Sequence, residues 1–364
     1  MPFYHDLKKY NADEQYPDKQ SWIASRLLAL RHDLKESILD QRRANSLIIG
    51  SWNIRAFDDG IPRLDESYHY LAEIIAAFDI CAIQEVKSDL GPLKKLLRLL
   101  GPNWSYFVSD VSTHRGGNNE RMAFVYNQDK VTFRHLIGEI VLDNVDLVAG
   151  NQIARSPFFA AFQADWFRFC LCSAHIIYGQ GAGARELRSQ EITAITRMLV
   201  EKAKREDQVY ILVGDMNIES LDGPIMQVLR ESEMVIPSLP PTNLSGDKHY
   251  DQIAFTDKGM AERKTRLLRA GAFDWRRAVF GPHPAHDVAH PDVGNDLVSR
   301  VSDAVNIAHY EAQNLRQRAA VGRPPYADFR RMYRTWMTYE MSDHLPVWIE
   351  IEIDYSDEYL ARFL

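Results

Sequence analysis

Apolar residues recur along this chain in two rhythms. LIIGSWNI (47–54), DICAIQEV (79–86), MAFVYN (122–127), FFAAFQA (158–164), FRFCLCSAHII (167–177), VYILVGDMN (209–217) and YDQIAF (250–255) are short apolar runs that predict strands. WSYFVSD (104–110) and VTFRHLIGEIVL (131–142) read as further strands or extended segments. SYHYLAEIIAAF (67–78), LGPLKKLLRLLG (90–101) and RELRSQEITAITRMLVEKAKRE (185–206) read as helices between them. Pro92 stands near the start of the second helix and Gly101 just after it. In MSDHLPVWIEIEI (341–353), Val347, Ile349 and Ile351 alternate with Trp348, Glu350 and Glu352. Pro346 can open such a strand but not sit in its middle. Strands alternate with helices in places and pair as hairpins elsewhere. That mixture predicts an α+β (α/β) fold of two packed sheets flanked by helices.

The two ends of the pattern differ from its middle. Residues 1–20 are polar and predict a loosely ordered lead. In residues 21–40, Ile23, Leu27, Leu30, Leu34 and Ile38 predict an amphipathic helix packed on the main domain, with Ser21 as its cap. The expected organisation is a lead plus helix over 1–45 and one large domain over 46–364. An insertion at about 281–340 interrupts that domain, because Pro, His and Asp crowd GPHPAHDVAHPDVGND (281–296). His286 and His290 would share a helical face, but Pro284 and Pro291 break it, so a polar loop is the better reading of this segment than a metal site.

Composition narrows the class. The 364 residues are 46% hydrophobic and 26% charged, which is globular. A net charge of −7 argues against a passive nucleic-acid coat. It leaves room for an enzyme that meets phosphates through a few placed cations and a metal. The three cysteines, Cys81, Cys170 and Cys172, lie in apolar runs without framework spacing and read as reduced core residues. Neither an apolar leader in the first twenty residues nor a run of eighteen apolar residues is visible. The expectation is a soluble cytoplasmic protein with no membrane span and no obligatory protein partner.

The chemistry gathers where the strands stop. Asn53, Glu85, Glu120, Arg155, His175, Asp215, Asn217, Asp251, Asp343 and His344 all stand at or near a strand end. Each alone has a plain alternative: Asn53 as a turn residue, Glu85 as a strand-end charge, His175 as a core histidine, Asp215 as a helix cap. Asp215 and Asn217, two apart in an extended segment, would point to one face. Together these are the groups phosphodiester hydrolysis uses: hard oxygens for Mg²⁺ or Mn²⁺, and histidines that pass protons near neutral pH.

At these residues the chain resembles a known family. SWNIRAF, DICAIQEVKSD, NNERMAFVY, ARSPFFAAF, SAHIIYG, VGDMN, YDQIAF and SDHLPV follow, in order, the motifs of the endonuclease/exonuclease/phosphatase superfamily, nearest its deoxyribonuclease I-like branch. AGAFDWRRAVFG is similar to that branch's penultimate segment. The resemblance covers about residues 47–353 and implies a four-layer αββα sandwich. It implies that Asn53, Glu85 and Asp343 hold a divalent metal, Mg²⁺ or Mn²⁺. It implies that Glu120 orients His175 and Asp251 orients His344. Arg155 and Asn217 would bind phosphate, with Asp215 placing the attacking water.

Two departures touch substrate choice. Lys87 stands where the branch has a groove-reaching arginine, and Asn118 where pancreatic-type members have a stacking tyrosine. Lys87, Arg330 and Arg334 are candidate substrate contacts; the latter two lie with Tyr333 and Trp336 in a basic, aromatic stretch before the SDH motif. That stretch equally reads as an ordinary amphipathic helix. The implied activity is a metal-dependent endonuclease on DNA with little sequence specificity. The alternative is the same chemistry on RNA, nucleotides or a phospholipid head group.

Overall fold

A computed structural model describes residues 2–12, 19–57, 63–112, 117–144, 147–206, 208–257, 265–280 and 335–364. Arg330, Arg334, Tyr333 and the histidines at 283, 286 and 290 lie outside the described residues. Two six-stranded sheets form the centre. The first contains β1 (Ser46–Phe57), β2 (Ile80–Val86), β3 (Trp104–Val108), β4 (Arg121–Asn127), β11 (Leu267–Ala272) and β12 (Val347–Glu352), in the order β11-β12-β1-β2-β4-β3. The second contains β5 (Thr132–Glu139), β6 (Phe158–Ala164), β7 (Phe167–His175), β8 (Val209–Asp215), β9 (Met234–Val235) and β10 (Asp251–Thr256), in the order β5-β6-β7-β8-β10-β9. Each sheet is mixed: β1 with β2 and β7 with β8 run parallel, while pairs such as β1–β12 and β8–β10 are antiparallel.

Helices cover both outer faces. α1 (Lys19–Leu34), α2 (Asp65–Ala76) and α3 (Gly91–Leu100) pack on the first sheet, where Ile23, Leu71, Leu96, Ile48, Trp52 and Cys81 share one apolar cluster. α4 (Ala182–Arg205) and α5 (Pro224–Arg230) pack on the second sheet over Cys170, Cys172 and Leu212. A third cluster lies between the sheets and holds Leu47, Ile49, Phe124, Phe162, Leu171, Ile211, Ile253 and Ile349. The four-layer sandwich is therefore present. All three cysteines are buried and free.

Strand alternation decides which residues face the gap between the sheets. In β1, Leu47 and Ile49 point inward, so Ser51 and Asn53 continue that face. In β7, Phe167, Phe169 and Leu171 lead to Ser173 and His175. In β8, Val209, Ile211 and Val213 lead to Asp215. In β10, Phe255 and Ile253 lead back to Asp251, and in β4, Phe124 and Met122 lead back to Glu120. The inward stripe is thus apolar through the sandwich and turns polar at one end.

β2 reaches the same end by breaking the rule. Ile83 and Val86 both face the α2–α3 layer although they are three apart, and the pairing with β4 shifts register between them. That irregularity, with Glu85 at φ 61°, re-aims Glu85 toward the polar end.

Two expectations need correction at the N-terminus. Residues 2–12 are not a loose lead: His5–Ala12 form a 3₁₀ helix, Phe3 N donates to Leu99 O at 2.7 Å, and Tyr10 is buried. Ser21 lies inside α1 and does not cap it, because the helix begins at Lys19. The apolar spacing reads correctly, since Ile23, Leu27, Leu30, Leu34 and Ile38 are all buried. At β5 the strand is shorter than VTFRHLIGEIVL and is interrupted at His135, whose φ is 60°.

Candidate active site

The polar end brings residues from both sheets together. Glu120, at the entrance of β4, is the anionic centre of one half. Its Oε2 lies 3.0 Å from His175 Nδ1 and 2.9 Å from Arg155 Nε, and its Oε1 lies 3.4 Å from Lys87 Nζ. Burial works against ionising Glu120, but the hydrogen bond and charge of His175, then Arg155 and Lys87, overcome it and hold its pKa at about 2. Arg155 also reaches back to the His175 carbonyl, with Nη1 donating at 3.4 Å.

The other half is built on Asp251, the first residue of β10. Its Oδ2 is 2.8 Å from His344 Nδ1. Desolvation disfavours charge on His344, yet Asp251, Asp215 and Asp343 outweigh it and raise its pKa well above the ordinary imidazole range. Asp215 joins the halves. Its Oδ2 lies 3.5 Å from His175 Nε2, 3.7 Å from His344 Nε2 and 3.0 Å from Asn53 Nδ2, which donates to it.

Local devices fix these positions. β8 carries Gly214 at φ 133°, and a Cβ there would stand 1.9 Å from the Ala174 carbonyl oxygen. Only glycine lets β8 pass β7 so closely beside His175 and Asp215. Ser342 ties the last motif to β1: its Oγ donates to Asn53 O and accepts from His344 N at 3.0 Å. Trp52 Nε1 donates to His344 O at 2.9 Å from the same strand. Arg188 of α4, wholly buried, donates to Asn217 O at 2.8 Å and Gly179 O at 3.0 Å. Glu191 accepts from Ile177 N at 3.0 Å and Ala154 N at 3.4 Å, joining the Arg155 segment to the chain after β7.

Asn53, Glu85, Glu120, Arg155, His175, Asp215, Asp251 and His344 converge at this end of the sandwich. Asn217, Asp343 and Lys87 differ from expectation. Asn217 does not continue an extended segment: its φ is 51°, its N–H donates to Asp215 Oδ1 at 2.9 Å, and its Nδ2 donates to Ile176 O at 2.8 Å. The chain turns there, because the aspartate side chain captures the amide two residues on. Asp343 stands apart from the ligand clusters below, half exposed, with Oδ2 3.8 Å from Arg55 Nη1. Lys87 points into the site at Glu120 and the Asn118 carbonyl, not outward as a free contact. Trp336 packs edge-on against Phe280 at 5.7 Å and joins the α1–α3 cluster, so it serves the core.

Sequence reasoning missed Arg188, Glu191, Ser342 and Gln84. Gln84 had a signal, as an amide at an inward position of an apolar strand. Arg188 and Glu191 had none, because charges on a long amphipathic helix read as its wet face.

The donor set fits a hard divalent cation. Glu85, Glu120 and His175 each offer a ligand atom within 4.8 Å of one another, and so do Asp215, Asp251 and His344. Asn53 Oδ1 and Asp251 Oδ1 are buried and accept no hydrogen bond from any described residue. Orphaned carbonyl and carboxylate oxygens beside carboxylates suit Mg²⁺ or Mn²⁺ better than a thiophilic metal.

A two-sheet sandwich with His, Asp, Glu and Asn converging at one end is the architecture of a phosphoester-hydrolysing class. The chain belongs to the Endonuclease/Exonuclease/phosphatase family, whose pattern it matches over residues 50–297. It is 25% identical over 234 residues to Deoxyribonuclease-1 of Gallus gallus, covering 61% of this chain and 81% of that protein. It is 37% identical over 127 residues to Deoxyribonuclease-1 of Equus caballus, covering 34% of this chain and 44% of that protein. The human Nocturnin catalytic domain with bound sulfate anion superposes with a TM-score of 0.53 at 13% identity, over 86% of this chain and 95% of that one. That likeness is one of fold.

Proposed function

We propose that this protein is a metal-dependent phosphodiesterase that cuts the nucleic-acid backbone, as an endonuclease on DNA with little sequence specificity. The observation that carries the reading is the row Glu120–His175–Asp215–His344–Asp251, two carboxylate-backed imidazoles meeting at one aspartate. The deoxyribonuclease names of its relatives support DNA over other diesters.

Each group has a role in this reading. Asn53 and Glu85 would hold the cation, with Asp215 as a further carboxylate available to it. When bound, Mg²⁺ or Mn²⁺ neutralises charge on the phosphate and acidifies a water. Glu120 holds His175 by Nδ1, which leaves Nε2, facing Asp215, as the nitrogen that takes a proton from the attacking water. The carboxylates around His344 favour its imidazolium, the form that protonates the leaving oxygen. Arg155 braces Glu120 and adds positive charge beside the phosphate. Asn217 and Gly214 shape the turn that presents Asp215.

A second reading keeps the chemistry and changes the substrate to RNA, a nucleotide or a lipid head group. The inward turn of Lys87 favours it, since that side chain is engaged by Glu120 instead of reaching for a groove. The test is a panel of plasmid, single-stranded DNA, RNA, sphingomyelin and a phosphomonoester with Mg²⁺ or Mn²⁺. Plasmid nicking that EDTA and His175→Ala abolish is the expected result. Intact plasmid beside a hydrolysed lipid or monoester selects the second reading.

A further inference from the structure

Directly beneath the polar end lies one more polar layer. Gln84, Ser51 and Ser173 are each fully buried. Gln84 Nε2 donates to Ser173 Oγ at 2.9 Å and to Ser51 Oγ at 3.2 Å. Ser51 and Gln84 belong to the first sheet and Ser173 to the second, so the bond to Ser173 crosses the gap between the sheets. Each member is one step below a site residue: Ser51 below Asn53, Gln84 before Glu85, Ser173 below His175.

The surroundings make this layer unusual. At the matching inward positions of the other strands stand Met122, Val213, Ile253 and Val347, all in the apolar inter-sheet cluster. A buried amide with its hydrogen bonds made contributes little net stability over apolar residues of the same shape. What it adds is direction. Apolar contacts tolerate sliding, whereas a hydrogen bond weakens steeply once its angle is lost. The site needs that constraint, because Asn53, Glu85, Glu120 and His344 ride on one sheet and His175, Asp215 and Asp251 on the other.

We propose that Gln84 is a positioning residue that locks the two sheets in register through Ser51 and Ser173, holding Glu85 and Asn53 at the distance from His175 and Asp215 that the reaction requires. This rests on the phosphodiesterase reading and names a device within that site. Gln84 touches no substrate in this role.

The test compares Gln84→Leu with the triple variant Gln84→Leu, Ser51→Ala, Ser173→Ala. Displacement of reacting groups by about 1 Å costs about 10²-fold in rate. Loss of a group supporting metal ligands costs about 10–100-fold in metal affinity. Gln84→Leu is expected to lower kcat on plasmid or oligonucleotide by about ten- to a hundredfold with KM nearly unchanged. Mn²⁺ affinity, read by electron paramagnetic resonance of the free ion, is expected to fall by about tenfold or more. Because the triple variant leaves no unpaired hydroxyl, its Tm is expected to return toward the original while kcat and Mn²⁺ affinity stay low.

A triple variant with the original kcat and Mn²⁺ affinity overturns the proposal. So does a Gln84→Leu protein whose losses disappear with its stability defect. A parent protein that cleaves no diester overturns the functional reading instead. Imidazole NMR signals of His175 and His344 then decide the positioning role: they shift in the triple variant if the sheets slip, and stay fixed if Gln84 is mere filling.

Discussion

His175 and His344 aim their Nε2 atoms at the same oxygen, Oδ2 of Asp215, from 3.5 and 3.7 Å. One imidazole belongs to a strand end of the second sheet and the other to the turn that leads into β12 of the first. Among the described residues, neither has a private partner on that side. Asp215→Asn is therefore expected to impair both proton carriers at once. The loss should be about 10²–10⁴-fold in kcat, the range for general acid–base assistance. Steady-state kinetics should show both limbs of the pH profile altered; a change in one limb alone contradicts the sharing.

His344 also makes stability depend on pH. Its folded pKa is raised well above the ordinary value of 6.5, mainly by Asp251 and Asp215 acting against burial. A histidine with a raised folded pKa binds its proton more tightly folded than unfolded. That contribution is complete below about pH 6.5 and disappears as pH rises through the raised value. Thermal melts of the parent and His344→Gln across this window should differ most at low pH and converge in alkali.

Glu120 acts in the opposite direction. Its folded pKa of about 2 lies below the ordinary 4.5, so its contribution is full above the ordinary value and is lost as pH falls toward 2. Arg155 supplies part of that depression. Arg155→Met removes one partner of a buried ion pair, a change that costs about 3–5 kcal/mol. Urea unfolding at neutral pH should show this loss, and the gap from the parent should narrow as pH falls from 4.5 toward 2, the window in which Glu120 protonates.

Gly214→Ala tests the backbone. The added methyl meets the Ala174 carbonyl at 1.9 Å, and φ 133° is strained for any side chain. Strain of that kind costs about 1–3 kcal/mol before the clash is counted. The variant should melt lower and lose activity more than stability, because β7 and β8 must part beside His175 and Asp215. An alanine variant with unchanged melting and turnover contradicts this reading of the approach.

Much of this was legible in the chain. The apolar runs mark β1, β2, β4, β7, β8 and β10, and in each of these but β2 the polar residue ending the inward stripe marks a site position. Asp251 and Asp215 could be placed because period two leaves one choice of face. Glu85 could not be placed by that rule, since a register irregularity turns it. Asn217 was misjudged for a related reason: the Asp215 side chain bends the backbone, and periodicity does not record side-chain capture. Arg188 and Glu191 stayed hidden because a helix that packs across a sheet face buries charges that its sequence presents as solvent-facing. Asp343 shows that adjacency to His344 in sequence does not carry a side chain into the same cluster.

The inward stripe described above behaves as a reading frame. In β1, β7, β8 and β10 an apolar stripe leads to one reactive residue on the same face, and β2 alone reaches the site through a register irregularity. Inserting or deleting one residue within β1, β7 or β8 would turn its reactive letter to the helix side without changing composition. Changes between strands carry no such penalty. A lineage on this scaffold can therefore rewrite those connecting segments that hold no site residue, while β1, β7 and β8 remain closed to any edit that shifts their phase.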